Sequence, residues 1–242
     1  MTAQFFTDDG VEVPAVTAAQ MREVDRICIE ETGPSLLQMM EHAGRSLALE
    51  TLRRLGGVWR TARVVVLAGT GGNGGGGICA ARHLVNRGIL VQLCLAEPDR
   101  LSEVTAFQRR IYAKAGGEEI AFNELRDARS ALIIDAVLGY NLRGAPRPSA
   151  AAVIRWANAS GGPVLALDLP SGVDATTGEI PGECVRADWT LTLALPKIGL
   201  RADRCGALVL ADLGIPASVF RRIGLRYTPP FETRFRVPLR RA

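Results

Sequence analysis

Residues 63–84 read RVVVLAGTGGNGGGGICAARHL, and three physical signals follow one another in them. Arg63–Ala68 is a continuous apolar run rich in β-branched residues, the pattern of a strand covered on both faces. Gly69–Gly77 then carries seven glycines in nine residues. Each costs backbone entropy on folding, so this many together point to a backbone that approaches a ligand closely or adopts positive φ. The chain next turns helical at about Gly74–Ala80, and the free N–H groups and positive dipole end of such a helix suit a phosphate. Gly69, Gly71 and Gly74 satisfy the spacing G-x-G-x-x-G. Glu97 lies 23 residues after Gly74, roughly where a dinucleotide-binding fold places its ribose-binding acid. No Lys-Ser/Thr follows the glycines, which excludes a Walker A loop.

Working outward, strand-like runs recur at Leu90–Ala96, Ala131–Asp135, Pro163–Asp168, Asp188–Ala194 and Gly206–Ala211. Helical stretches at about 74–87, 102–115 and 148–159 separate the first four strands of the series. Such alternation predicts an α/β fold with a mostly parallel, doubly wound sheet. Upstream, Thr17 and Gln20 have capping-box spacing and open an amphipathic helix to about Glu31, which Gly33-Pro34 breaks. A second helix is predicted from Ser35 to Leu55, ended by Gly56-Gly57. Residues 1–242 thus read as one domain with extra N-terminal helices, free of internal repeats and low-complexity linkers.

Hydrophobic residues make up 48% and charged residues 22% of the 242, which excludes a disordered or collagen-like chain. No apolar run reaches the ~18 residues of a membrane-spanning helix. The start, MTAQFFTDDGVEVP, holds two aspartates where a secretory signal would be basic and then apolar, so a soluble, cytoplasmic protein is expected. The net charge of +4 is unevenly placed. Residues 221–242 hold seven arginines (Arg221, Arg222, Arg226, Arg234, Arg236, Arg240 and Arg241) against one acid, Glu232, leaving −2 on residues 1–220. The body is therefore no nucleic-acid surface, and the Arg-rich extension reads as solvated or packed chain, with binding to an acidic partner or nucleic acid as the alternative. Cys28, Cys79, Cys94, Cys184 and Cys205 form no CxxC pair, and His42 and His83 both fall in helices. That composition supports neither a standard zinc site nor a Ser-His-Asp triad, and reduced core thiols are expected.

In doubly wound folds ligands bind at the carboxyl ends of the strands, near the point where strand order reverses. Three strand ends are informative: the glycine loop, Asp135 followed by GYNLRG, and Asp168 followed by LPSGVD. A carboxylate ending an apolar strand is partly desolvated and suits a proton carrier or a cation ligand. Ser171 and Asp174 add hydroxyl and carboxylate oxygens of the kind a hard cation takes. Lys197, one of two lysines in the chain, follows the fifth strand in LPKIGL and suits a phosphate at a cleft rim.

Taken together, VTAAQMREVD, LLQMMEHAGR, VVVLAGTGGNGGGGICAARHL, IIDAVLGYNLRG, LALDLPSGVDATTGEI, ADWTLTLALPKIGL and GALVLADLGIP resemble the YjeF N-terminal domain family, the NAD(P)HX epimerases, over about residues 15–220. The resemblance implies a Rossmann-like three-layer αβα sandwich, usually dimeric. It implies epimerisation of the R and S forms of hydrated NADH or NADPH, with a separate ADP- or ATP-dependent dehydratase repairing the S form. It further implies a potassium ion held by Asn73, Asp135 and Ser171. Substrate contacts would come from Gly71, Gly72, Asn73, Gly74, Gly75 and Gly76, from Gly139, Tyr140, Asn141, Leu142, Arg143, Gly144 and Ala145, and from Asp168, with Lys197 beside them.

The chain departs from the family pattern in four places. Gly72 and Gly76 stand where the loop G-x-G-N-N-G-G-D-G has asparagine and aspartate. Tyr140 and Asn141 replace residues of G-T-G-L, and His42 replaces the asparagine of E-N-A-G. Each lost hydrogen bond to substrate would cost about 1–3 kcal/mol.

The implied chemistry needs one proton carrier. C6 of the hydrated ring is a hemiaminal carbon; protonating and expelling its hydroxyl gives an iminium, and water then returns on either face. A single carboxyl group serves as acid and then base, and Asp168 is the expected catalytic residue. Two other readings follow from the same residues. One is a divergent, non-catalytic member that binds a nucleotide or a partner, on account of Gly72 and Gly76. The other is an NAD-dependent oxidoreductase, on account of G-x-G-x-x-G and Glu97, for which no Tyr-x-x-x-Lys pair or catalytic histidine is present.

Overall fold

A computed structural model describes residues 4–127 and 130–242. Ten strands form one sheet: β1 (Phe5–Thr7), β2 (Glu12–Val13), β3 (Arg63–Ala68), β4 (Leu90–Leu95), β5 (Glu118–Ile120), β6 (Leu132–Ala136), β7 (Val164–Leu167), β8 (Trp189–Leu193), β9 (Ala207–Ala211) and β10 (Arg236–Arg241). Their order is β2-β1-β10-β9-β8-β7-β6-β3-β4-β5. The seven strands from β9 to β5 run parallel, and β10, β1 and β2 extend one edge antiparallel.

The six runs read from sequence are all strands. Four strands escaped that reading: β1, β2, β5 and β10. The last lies in the Arg-rich extension, which is therefore packed chain. In β10, Val237 and Leu239 point into the core, Arg236 pairs with the buried Glu50, and Arg241 donates to the Leu200 carbonyl. Two more arginines of the extension, Arg222 and Arg234, pair with Glu31 and Asp9.

Helices α1 (Ala18–Ile27), α2 (Leu36–Leu55), α3 (Gly72–Val85), α4 (Glu103–Lys114), α5 (Pro148–Ala159), α6 (Ala202–Cys205) and α7 (Ala217–Arg222) complete the order. The Thr17 hydroxyl accepts the Gln20 N–H while the Gln20 side chain accepts the Thr17 N–H, so α1 starts where its capping box predicts. A π-turn, Cys28–Thr32, then ends at Gly33, whose φ of 71° only glycine adopts without strain. The chain passes from β3 outward to β4 and β5, then returns to β6 on the other side of β3. Strand order therefore reverses between β3 and β6, and a crevice opens above their carboxyl ends.

All five cysteines are buried and none is in a disulfide. No helix among the described residues is long and apolar enough to cross a membrane.

Candidate active site

The reversal point puts the ends of β3, β6 and β7 side by side, and a cavity of about 720 Å³ opens over them. Its floor is made by Gly71, Gly72 and Asn73 after β3, by Val137–Arg143 after β6, and by Asp168 after β7. Met21, Asp25 and Ile29 close one wall, and Leu36, Met39 and Met40 another.

The glycine loop does something other than the sequence suggests. None of Gly69–Gly77 has a positive φ. Helix α3 begins at Gly72, two residues earlier than read, with no side chain capping it. Its first residues line the cavity, so uncapped amides and the positive dipole end face the place where an anion would sit. The later glycines serve packing. A Cβ on Gly74 would lie 2.0 Å from the Gly69 carbonyl oxygen, one on Gly75 2.7 Å from the Met40 sulfur, and one on Gly77 2.4 Å from the Ala136 Cβ. Close approach is thus of α3 to its own sheet and to α2. Of the implied contact residues, Gly74, Gly75 and Gly144 do not line the cavity, whereas Gly71, Gly72, Asn73, Gly76, Gly139, Tyr140, Asn141, Leu142, Arg143, Ala145, Asp168 and Lys197 do. At the two departures in the loop, a Cβ on Gly72 would meet nothing within 4 Å, and one on Gly76 would sit 2.9 Å from Leu167.

Asp168 and Lys197 form the polar floor. Both are buried, at 3% and 1% exposure, and the Lys197 ammonium donates to Asp168 Oδ1 and, at 2.8 Å, to the Leu193 carbonyl. The Leu193 N–H donates to the same carboxylate oxygen at 3.3 Å. Asp168 has φ 70°, a left-handed conformation that a non-glycine residue keeps only when its surroundings hold it. The Asp168 N–H to Leu191 carbonyl bond, 2.7 Å, supplies part of that hold. Ala194, at the end of the neighbouring strand, turns the same way at φ 60°. The two bends direct the ends of β7 and β8 over the crevice. The Lys197 loop is fixed in turn by Val16, whose N–H donates to Pro196 and whose carbonyl accepts from Ile198. Lys197 is therefore a buried partner of Asp168, where the sequence suggested a rim lysine.

Beneath the floor lies Asp135. It is fully buried, accepting the Ser171 hydroxyl at 2.5 Å, the Ser171 N–H at 2.8 Å and the Val137 N–H at 3.3 Å. Burial pushes its carboxyl up to about 6, and no cationic side chain is paired with it among the described residues. Ser171 is also buried; its hydroxyl accepts the Leu138 N–H at 2.8 Å and lies 3.3 Å from the Leu138 carbonyl. Asn73 approaches the next residue, since a Cβ on Gly139 would lie 3.3 Å from its amide, and its own Nδ2 is buried without a partner. A carboxylate without a cationic partner, a hydroxyl and a carbonyl meet here, with the Asn73 amide beside Gly139, and oxygens of this kind fit a hard, weakly charged cation.

Other sequence candidates fall outside this chemistry. Asp174 accepts the Thr176 and Thr177 N–H groups in a surface turn, so it serves the turn. Glu97 stands at the cavity rim, 3.4 Å from both Arg100 and Arg147. His42 bonds the Leu213 carbonyl. Glu41, Cys79 and His83 come within metal-binding reach of one another, but Arg82 donates to both Glu41 and Cys79 and supplies the positive charge there.

Asp25, on α1, was missed. It faces the cavity, and Tyr140 donates its hydroxyl to Asp25 Oδ2. Burial raises the Asp25 carboxyl, partly offset by the Tyr140 hydrogen bond and by the charge of Lys197. Its place in VTAAQMREVD gave no local signal, because an acid on an amphipathic helix reads as solvated; the partner is 115 residues away.

Comparison with known proteins finds relatives of this chain. A family model described as "YjeF-related protein N-terminus" matches residues 36–199. An NAD(P)H-hydrate epimerase of Dehalogenimonas lykanthroporepellens is 49% identical over 232 residues, covering 96% of this chain and 95% of that one. One of Weissella koreensis is 37% identical, covering 83% and 91%. A bifunctional NAD(P)H-hydrate repair enzyme of Salinibacter ruber is 38% identical over 86% of this chain, which corresponds to 42% of its own length. In fold, the crystal structure of yeast ynu0 superposes with a TM-score of 0.82 at 20% identity, covering 93% of this chain and all of that one. With the glycine loop, Asp135, Asp168 and Ser171 at one reversal point and the family model spanning them, the chain belongs to the YjeF N-terminal family.

Proposed function

We propose that this protein is an NAD(P)H-hydrate epimerase that interconverts the R and S forms of hydrated NADH and NADPH. The observation that carries this reading is the buried Asp168–Lys197 pair on the floor of a nucleotide-sized cavity, beside an uncapped helix start. It is supported by the relative that carries the epimerase name at 49% identity over nearly the full length of both chains.

The chain's own groups divide the work. The amides at the start of α3 take the pyrophosphate, and the apolar walls around Met21 and Met39 shed water from the ring. Asp168 passes the proton: its carboxylate takes a proton from the water that adds to the C6 iminium, and in the reverse direction the acid so formed protonates the C6 hydroxyl, the C6–O bond breaking to give water and the iminium. Lys197 holds that carboxylate in place through its second bond to Leu193. Asp168→Asn should abolish R/S interconversion without unfolding the protein; interconversion at the wild-type rate would sink the assignment.

Potassium is the cation proposed for Asn73, Asp135 and Ser171, with the Leu138 carbonyl beside them. When bound it would offset the Asp135 charge and tie the loops after β3, β6 and β7 together. A dehydratase working on the S form is the proposed pathway partner; names of bifunctional repair enzymes among the relatives support a linked second activity. Homodimer formation and a cytoplasmic location are proposed on the family resemblance.

A second reading, a binding protein without turnover, is favoured by Gly72 and Gly76, which leave the loop without two polar side chains. Thermal protection by NADH with no change in R/S ratio would identify it.

A further inference from the structure

The two epimers differ in which face of the ring carries the C6 oxygen. A lone carboxyl group meets only one of those faces unless the iminium turns over inside the site. Three carboxyl groups line this cavity; Glu97, at the rim, is paired with Arg100 and Arg147, which leaves two, brought there by different elements: Asp168 by the end of β7, and Asp25 by α1. Asp25 is held in place. Tyr140, from the loop after β6, donates to its Oδ2, while Oδ1 accepts from no protein group among the described residues. Helix α1 itself is tied to the loops of the floor: the Ala18 N–H donates to the Thr176 hydroxyl, and Val16 pairs with the Lys197 loop. A carboxyl group with one oxygen clamped and the other open to a substrate cavity has the arrangement of a proton donor and acceptor.

Building on the epimerase reading, we propose that Asp25 is a second catalytic acid–base group, working on the ring face that Asp168 does not reach, with Tyr140 as its positioning residue. The step balances as follows. When the hydroxyl lies toward Asp25, Asp25–COOH protonates it, the C6–O bond breaks, and water and the iminium form, leaving Asp25 as carboxylate. A water on the Asp168 side adds to C6 and gives its proton to the Asp168 carboxylate. The product is the opposite epimer, and proton exchange with solvent returns the pair to its starting state. The reverse reaction uses the two groups in exchanged roles.

The test follows the oxygen atom. Each epimer is incubated in H2¹⁸O with wild-type protein, with Asp25→Asn and with Asp168→Asn, and R/S ratio and label are read by chromatography with mass spectrometry. Asparagine still accepts the Tyr140 hydrogen bond, so Asp25→Asn keeps the clamp and loses only the proton transfer. Inversion in Asp25→Asn should fall by about a hundredfold or more. That variant should still exchange label into one epimer with retention, through Asp168, and Asp168→Asn should exchange label into the other, through Asp25. Wild-type inversion by Asp25→Asn would overturn the proposal, as would loss of all exchange in Asp168→Asn, the arm that decides the matter if Asp25→Asn does not fold. Wild-type protein that neither inverts nor exchanges would overturn the epimerase reading itself, and this inference with it.

Discussion

The Lys197 ammonium and the Asp168 carboxylate are buried against each other where β7 and β8 end, and each is held by the backbone around Leu193. Taking two charges out of water is expensive, and their attraction repays it only while both remain. Lys197→Met should therefore cost about 3–5 kcal/mol of stability, because it strands a buried carboxylate. Adding Asp168→Leu should return part of that loss. Urea midpoints of the single and double variants measure this; a double variant less stable than Lys197→Met would contradict it.

Asp135 makes stability depend on pH. Its carboxyl sits at about 6 in the folded protein against an ordinary 3.8, so the folded state holds the proton more tightly. The stabilisation is complete below about 4 and is lost as pH rises to about 6, amounting to about 3 kcal/mol. A cation beside the ionised group restores part of it by binding only the folded state. The melting temperature at pH 7.5 should be higher in potassium chloride than in tetramethylammonium chloride of equal ionic strength. The difference should shrink below pH 5 and vanish in Asp135→Asn. Equal melting temperatures in the two salts would remove the support for potassium.

The glycines of the loop should separate by location. Gly77→Ala drives a Cβ to 2.4 Å from the Ala136 Cβ and should cost about 1–3 kcal/mol. Gly72→Ala meets open space in the first turn of α3 and should be neutral or stabilising by up to about 1 kcal/mol. Denaturant midpoints of the two variants decide between packing and ligand approach as the reason for this stretch; equal losses would contradict the packing account.

Glu50 carries the C-terminal strand. It is 1% exposed and accepts from Arg53, Arg54 and Arg236, the last from β10. Glu50→Leu leaves three guanidinium groups without their carboxylate and should cost about 3–5 kcal/mol; Arg236→Met leaves two partners in place and should cost less. Thermal unfolding of both variants orders them, and a larger loss in Arg236→Met would be contrary to this assignment.

What could be read from the residues follows from what was local. The runs VVVLA, ALIID and VLALD announce buried parallel strands, and Thr17 with Gln20 announces the start of α1. Strand β10 was hidden because RVPLRR carries three arginines and a proline, and only its place beside β9 shows that Val237 and Leu239 face inward. Strands β1, β2 and β5 are two or three residues long, too short for a period. Glycine excess was legible but its reason was not, since the atoms that exclude a Cβ belong to α2 and to β6. Asp25 and Tyr140 meet only after α1 has folded back onto the floor.

The most direct measurement is incubation of the purified protein with R-NADHX in potassium buffer, following the R/S ratio by chromatography. The site described here predicts approach to the equilibrium ratio well above the spontaneous rate, and its loss in Asp168→Asn. A wild-type ratio that drifts only at the spontaneous rate would contradict the epimerase reading.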